Sequence, residues 1–379
     1  MNVIIDGRPL VTSSAGIANF LRGSVVAWAK ECPQDIFYIA IPKETDKMFS
    51  RKGLPDNIRF ILQTNFVLRK LPNLIWLNVM FPIIARRVKA SVFYSPLPSI
   101  PYGLSSQMKK IITVHDVVNI EYRKTMQVTN IISNLLFFSR SVKGADVIWA
   151  NSYYTKSKVE HYFPQRKCQD IIVGCSIDRN LYTRLSMSEE EKENLKRKYG
   201  IAKPFILFVG SLEPRKNLGF LLSLMPEIYA RHAIQLVIVG AKGWKQSTIR
   251  EIVEKKDFPK QSVVFCNGVP NKDLAKLYNT AECFVSTSLN EGFGMPQLEA
   301  LACGCPVVTS HNSAMIEVAQ GKSGAYTVEG YAPIDWISVI DSVLQNHPTP
   351  REEELDEYDW QRIIKKVIQK CHQKYETCD

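Results

Sequence analysis

Thirteen short runs of apolar, β-branched or aromatic residues, bounded by Gly, Pro, Asp or Ser and separated by helix-length segments, constrain the fold of this chain more than any other feature. In the first half they lie at 2–6, 36–41, 58–63, 91–95, 110–115, 146–151 and 170–174. In the second they lie at 204–209, 235–239, 263–267, 283–287, 305–309 and 325–328. Several are apolar throughout, as in Phe205-Ile-Leu-Phe-Val209, which is the signature of strands buried on both faces of a helix-covered parallel sheet. The pattern predicts an α/β chain made of two successive sets of βαβ units. At 379 residues the chain also exceeds one ordinary core and suits two.

A polar, charged stretch at 183–203 separates the two sets and reads as a linker ending in a short helix. The boundary is therefore expected near 178–203, with a first domain over 1–178 and a second over 179–359. A second charged stretch, His347 to Asp359, precedes an amphipathic segment from Trp360 to Tyr375, whose Ile363, Ile364, Val367 and Ile368 fall at helical spacing.

Composition removes several classes. With 45% apolar and 22% charged residues, the chain has the balance of a cytosolic globular protein. Met1-Asn2-Val3-Ile4-Ile5-Asp6-Gly7 reads as a first strand, since it lacks the basic start and small-residue cleavage site of a signal peptide. The longest apolar stretch, Leu71 to Ala85, is shorter than the roughly 20 residues of a membrane span and contains Pro72 and Pro82. Nine scattered cysteines without paired C-x2-C spacing read as reduced thiols, and Cys303-x-Cys305 as a structural pair, not a metal site. Charge is uneven: residues 1–178 hold 23 Lys and Arg against 12 Asp and Glu, and residues 179–379 hold 25 against 25, so the whole net charge of +11 lies in the first half. A basic face fits an anionic partner such as a membrane surface, a phosphorylated acceptor or nucleic acid, and solubility alone explains it equally well.

The most informative segment runs from Ser286 to Thr309 (Ser-Thr-Ser-Leu-Asn-Glu-Gly-Phe-Gly-Met-Pro-Gln-Leu-Glu-Ala-Leu-Ala-Cys-Gly-Cys-Pro-Val-Val-Thr). Pro296 suits a first helical turn, Gly304 a C-terminal cap, and Pro306 bars continuation, so a helix is expected over 296–303. Gly292 and Gly294 stand just upstream, where a ligand can approach backbone N–H groups, around Phe293 and Met295, at the positive end of the helix. Glu291 precedes the helix and Glu299 is expected in its first turn, so the two carboxylates bracket one ligand, with sugar hydroxyls as natural targets. A tight strand-to-helix turn accounts for each glycine taken singly, and a favourable first-turn charge for Glu299. A second segment, Phe205 to Leu222, is a buried strand, a loop with Gly210, Ser211, Arg215 and Lys216, and a helix that Asn217 is expected to cap. Cations beside a helix N-terminus oppose its dipole, so an anion between them is the simplest reason for their presence.

Glu291-x7-Glu299 with its internal Gly-Phe-Gly, followed by Glu-Ala-Leu-Ala-Cys-Gly-Cys-Pro-Val-Val, resembles the nucleotide-sugar signature of retaining glycosyltransferase family 4. The resemblance runs over nearly the whole chain and is most specific between 204 and 310. It implies the GT-B fold, two facing Rossmann-like parallel-sheet domains with a cleft between them, the first holding the acceptor and the second the donor, and the last helix crossing back onto the first. It also implies that Lys216 binds the donor diphosphate. The family's commoner Arg directly after the strand's Gly is Ser211 here, and Arg215 is the candidate to substitute for it. Gly16, in Ser13-Ser-Ala-Gly-Ile-Ala-Asn19, matches the family's loop Gly over the donor phosphates, and His115, ending the strand before Asp116, its His at the donor sugar.

The resemblance further implies a retaining, metal-independent transfer of a hexose from a nucleotide sugar to a saccharide or lipid-linked saccharide. The Glu-Pro-Arg-Lys-Asn variant at 213–217 is similar to bacterial mannosyltransferases of surface-polysaccharide assembly, lipopolysaccharide included, which favours GDP-mannose. No cofactor and no metal is expected, and no Asp-x-Asp is present. Gly321-Lys-Ser323 lacks the first Gly of a P-loop, and G-x-G-x-x-G is absent. An epimerase or phosphorylase of the same fold, or a noncatalytic nucleic-acid-binding protein, are the alternatives. Cations without interleaved stacking aromatics argue against the last, and no nucleic acid is expected. The expected location is cytoplasmic, peripheral on the inner face of the cell membrane.

Overall fold

The computed structural model describes residues 1–11, 15–43, 53–66, 68–121, 131–240 and 247–372. Each expected run holds one strand, with ends moved by at most two residues. In the first half these are β1 (Asn2–Asp6), β2 (Ile36–Ile41), β3 (Ile58–Leu62), β4 (Val92–Ser95), β5 (Lys109–Val114), β6 (Val147–Ala150) and β7 (Ile172–Val173). In the second they are β8 (Phe205–Val209), β9 (Gln235–Val239), β10 (Val263–Cys266), β11 (Cys283–Ser286), β12 (Val307–Ser310) and β13 (Ala325–Val328).

The strands form two wholly parallel sheets, in the orders β3-β2-β1-β4-β5-β6-β7 and β10-β9-β8-β11-β12-β13. Both orders reverse at one point, β1 against β4 and β8 against β11, as in doubly wound nucleotide-binding folds. β4, β6, β9, β11 and β12 are buried along their length. The chain divides into two compact units, Met1–Ile177 with Tyr358–Asp379, and Asp178–Glu357.

In the first unit, Asp6 ends β1 wholly buried and is gripped by Arg8, whose Nε and Nη2 donate to Oδ1 and Oδ2 at 2.9 and 2.7 Å. Ser95 at the end of β4 donates to the same carboxylate at 3.0 Å, which ties the two strands at the reversal point. The last helix, Trp360–His372, also belongs to this unit, and residues 373–375 of its expected span lie outside the described residues. Its Ile363, Ile364 and Val367 are buried, each contributing about 1.5–3 kcal/mol relative to exposure. Trp360 sets its ring edge-on to Phe20 and Trp149 at 5.1 and 6.1 Å, over Gly23 of the helix Ala15–Glu31, where any side chain would collide with the indole. Among the described residues no helix is long and apolar enough to cross a membrane.

In the second unit the polypeptide after β8 and after β9 runs so close that a Cβ on Gly240 would lie 1.9 Å from the Gly210 carbonyl oxygen. Backbone cannot swing aside as a side chain can. Gly240→Ala is therefore expected to lower the stability of this unit by at least about 1–3 kcal/mol, the usual cost of overpacking, read as a lower melting temperature in calorimetry. An unchanged melting temperature would show that the two loops are not held together.

Candidate functional site

The reversal of strand order at β8 and β11 sends their following helices to opposite faces of the sheet, and the loops between are where such folds bind ligands. The loop after β8 carries Glu213, Arg215 and Lys216; the loop after β11 carries Ser288 and Glu291. The two are stitched by backbone: the Leu289 amide donates to the Arg215 carbonyl at 2.8 Å. Thr287 adds its hydroxyl to the Asn217 carbonyl at 3.1 Å.

Between them lies one ionic cluster. Glu291 Oε2 accepts from Arg215 Nη1 at 2.9 Å, and Oε1 accepts from Lys216 Nζ and, at 2.7 Å, from Ser288 Oγ. Arg215 Nη2 turns to Glu213 Oε1 at 2.7 Å. Burial would raise the Glu291 carboxyl, yet the charges of Lys216 and Arg215, with the hydrogen bonds from Lys216 and Ser288, hold it down to about 2. The carboxylate is thus ionised at every working pH. Its own amide is fixed by Ser313 Oγ at 3.0 Å. Gly210 lies against the Lys216 side chain, where a Cβ would stand 3.4 Å from Lys216 Cε, in ordinary contact.

The helix expected over 296–303 is Met295–Ala302. Gly294, at φ +97°, takes the left-handed N-cap position that a side chain would strain, and Pro296 sits in the first turn. Gly292 and Phe293 are buried just before it. The amides of Gln297 and Leu298 close on the Gly294 carbonyl at 3.0 and 3.2 Å, so they serve the turn itself.

Three expectations need correction. Glu299 is the fifth helical residue, outside the first turn, because the helix starts one residue early, and it is only 5% exposed, facing Tyr278 of the helix Asn271–Thr280. Tyr278 donates to its Oε2 at 3.0 Å, and burial pushes its carboxyl up to about 8 despite hydrogen bonds from Tyr278 and Tyr182. Asn217 does stand at the N-cap of the helix Leu218–His232, but in the left-handed conformation (φ 51°) and with no side-chain cap bond. Gly16 lies within the helix Ala15–Glu31 instead of in the loop before it, exposed to open space; residues 12–14 are outside the described residues.

His115 follows β5 in the first unit. Its Nε2 lies 2.9 Å from the Pro96 carbonyl, which only accepts, so the ring proton sits on Nε2 and Nδ1 is left as an acceptor. Burial lowers its pKa to about 4, opposed by the Pro96 bond, and Phe20 meets the ring edge-on at 4.8 Å. The imidazole is neutral at pH 7. Glu213, Ser288, Ser313 and Tyr278 escaped the sequence reading. The polar run Ser286-Thr-Ser288 directly after a buried strand was the available signal for Ser288.

Two parallel-sheet α/β units of these strand orders have the GT-B glycosyltransferase fold. The solved structure of sucrose-phosphate synthase from Thermosynechococcus elongatus superposes with a TM-score of 0.74 at 16% identity, over 97% of both chains. HepE from Anabaena in complex with UDP and glucose gives 0.68 at 14% identity, over 97% of this chain and 98% of that one. Residues 191–361 match the family model described as "Glycosyl transferases group 1", so the chain carries a domain of that family. It is 29% identical over 248 residues to an O-antigen chain mannosyltransferase B of Escherichia coli, across 63% of this chain. The match spans 61% of that relative, and the chain spans less than two thirds of the length of the first curated relatives it matches.

The raised Glu299 pKa has a consequence for stability. A carboxyl that keeps its proton when folded up to about pH 8, but loses it near 4.5 when unfolded, makes folding progressively less favourable as pH rises between those values. Glu299→Gln keeps the Tyr278 bond and removes the titration. The variant is expected to gain stability over wild type as pH goes from 5 to 8, and no further above that, in urea melts. A parallel pH profile for both proteins would show that Glu299 is ionised in the fold.

Proposed function

We propose that the chain is a retaining, metal-independent glycosyltransferase that moves a hexose from a nucleotide sugar to a saccharide or lipid-linked saccharide in surface-polysaccharide synthesis. The observation that carries this reading is the convergence of Arg215 and Lys216 on one point at the reversal of strand order, beside the glycine-rich start of the helix Met295–Ala302. Departure of a nucleoside diphosphate from the anomeric carbon leaves negative charge on phosphate, and fixed guanidinium and ammonium groups stabilise that charge as it develops. In this reading Arg215 and Lys216 hold the diphosphate, with the backbone of Gly210, Ser211 and residues 292–295 lining it, and Glu291 meets sugar hydroxyls. Glu299 is assigned to the ribose, and neutral His115, with Nδ1 as acceptor, to the sugar side. Gly16 is assigned to the phosphates.

Retention follows in this scheme from front-face attack: the acceptor oxygen bonds to the anomeric carbon as the sugar–phosphate bond breaks, and the acceptor proton passes to the leaving phosphate. The mannosyltransferase-named relative favours mannose, and with it GDP, as the donor. Transfer is expected to survive EDTA, and Lys216→Ala to lose about tenfold or more in diphosphate affinity while keeping its fold, since charge-assisted bonds contribute about 1.5–3 kcal/mol. Thermal shift with UDP, GDP, dTDP and ADP reads this directly, because a ligand at 100 times its Kd stabilises by about 2.7 kcal/mol. Activity abolished by chelation and restored by Mn²⁺ would refute the metal-free mechanism.

The same reading places the first unit on an anionic membrane. The helix Asn73–Arg87 buries Trp76, Leu77, Phe81, Ile84 and Ala85, yet leaves Ile75, Val79 and Ile83, four residues apart on one face, 50%, 43% and 54% exposed. Arg86 and Arg87 continue that face, exposed. Residues 57–115 contain eight Lys and Arg and no Asp or Glu. An apolar ridge ending in cations suits a lipid interface with anionic headgroups, where each cation adds about 1 kcal/mol that salt removes. Wild type is expected to sediment with anionic vesicles at low salt and Ile83→Asp much less. Retention no greater on anionic than on neutral vesicles would remove the docking idea.

A further inference from the structure

We propose that Glu291 and the donor diphosphate are alternative partners of the same two cations: a diphosphate takes Arg215 and Lys216 from the Glu291 carboxylate and so turns that carboxylate toward the sugar. The inference rests on the donor reading above and adds an internal competitor to it. It comes from a charge balance. Arg215 and Lys216 are matched by Glu213 and Glu291, so the four side chains sum to zero and offer a diphosphate no net attraction. Binding a ligand of two or more negative charges there requires one carboxylate to withdraw. Its mutual repulsion with phosphate oxygens is short-range and weakly screened in a site this enclosed.

Geometry selects Glu291 as the one that withdraws. It spans both cations, as a pair of phosphate oxygens would, whereas Glu213 touches Arg215 from the far nitrogen, Nη2. Its backbone is anchored by Ser313 Oγ on the Glu291 amide, so exchange needs only side-chain rotation with the loop in place. Protonation does not gate the exchange, since the two cations keep this carboxyl down to about 2. The gate is another anion. One event then both seats the leaving group and delivers a hydrogen-bonding carboxylate to the sugar, which couples occupancy of the phosphate site to orientation of the ring.

The experiment is isothermal titration of UDP, GDP, dTDP and ADP into wild type, Glu291→Gln and Ser288→Ala in EDTA-containing buffer, beside a transfer assay. Glu291→Gln keeps the shape and removes the competing charge. The diphosphate that binds wild type is expected to bind this variant at least about fivefold tighter, the lower end of couplings between competing ligands, while transfer falls. A residue holding the loop in shape would lower both. Ser288→Ala keeps the charge but loses the hydroxyl that holds Oε1, and a smaller gain in affinity is expected; it carries the test if melting shows Glu291→Gln to be misfolded. Equal or weaker binding by the folded variants, with wild type binding normally, would overturn the competition alone. If none of the four diphosphates binds wild type, the donor reading fails and the competition with it.

Discussion

Strands that are apolar on both faces leave a parallel sheet no room for polar chemistry except at the strand ends. β8 is buried over Phe205–Phe208, and β11 over its full length, so the first side chains able to meet a ligand are those the chain reaches after leaving the sheet. After β8 that chain is Gly210 to Lys216, and after β11 it is Thr287 to Gly294. Because β8 and β11 are neighbours at the reversal of strand order, the two loops meet side by side, the Leu289 amide donating to the Arg215 carbonyl. The Asp6–Arg8 fork occupies the corresponding point of the first sheet, and there the charges are fully paired and buried. Similar topology thus carries a closed ion pair in one unit and a partly exposed cluster in the other.

The cluster also answers an electrostatic question raised by its own position. Arg215 and Lys216 immediately precede the helix Leu218–His232, whose amino end carries partial positive charge. Two cations there repel the dipole and each other. Asn217 supplies no side-chain cap to offset this, so the offset comes from Glu213 and Glu291, the second drawn from 75 residues away in sequence. Taking one partner from such a cluster strands the other charge in a poorly hydrated place, which costs more than a surface pair is worth. The site therefore holds its cations ready without leaving them uncompensated.

What the sequence made legible follows the range of the forces involved. A run such as Phe205–Phe208 declares itself because both faces are buried and every residue is apolar. The limits of the helix Met295–Ala302 declare themselves through Pro296 and the left-handed Gly294 and Gly304, where local backbone geometry decides. Glu299 looked like an open first-turn carboxylate because the residues that enclose it, Tyr278 and Tyr182, are 21 and 117 positions away. Glu291 reads from the sequence as a ligand-facing group, while its pairing with Lys216 depends on a register between β8 and β11 that no local pattern fixes. Within Leu71–Ala85 almost every residue is apolar, so composition could not separate the face that buries Trp76 and Phe81 from the one that exposes Ile75 and Ile83.

Net charge, by contrast, is easy to count and says little about the Arg215–Lys216–Glu291 cluster. Arg215 and Lys216 belong to residues 179–379, whose formal charges cancel, and their hold on the Glu291 carboxylate is set by hydrogen-bond geometry over about 3 Å. The excess of +11 lies entirely in residues 1–178 and acts over the Debye length, about 8–10 Å in ordinary salt. These two electrostatic regimes respond to different perturbations. Enclosed pairs such as Arg215 with Glu291 persist as salt rises, whereas a surface field fades. Salt dependence therefore separates the roles of the two halves: a loss of vesicle attachment at high ionic strength with diphosphate affinity nearly unchanged is the behaviour this division of charge requires.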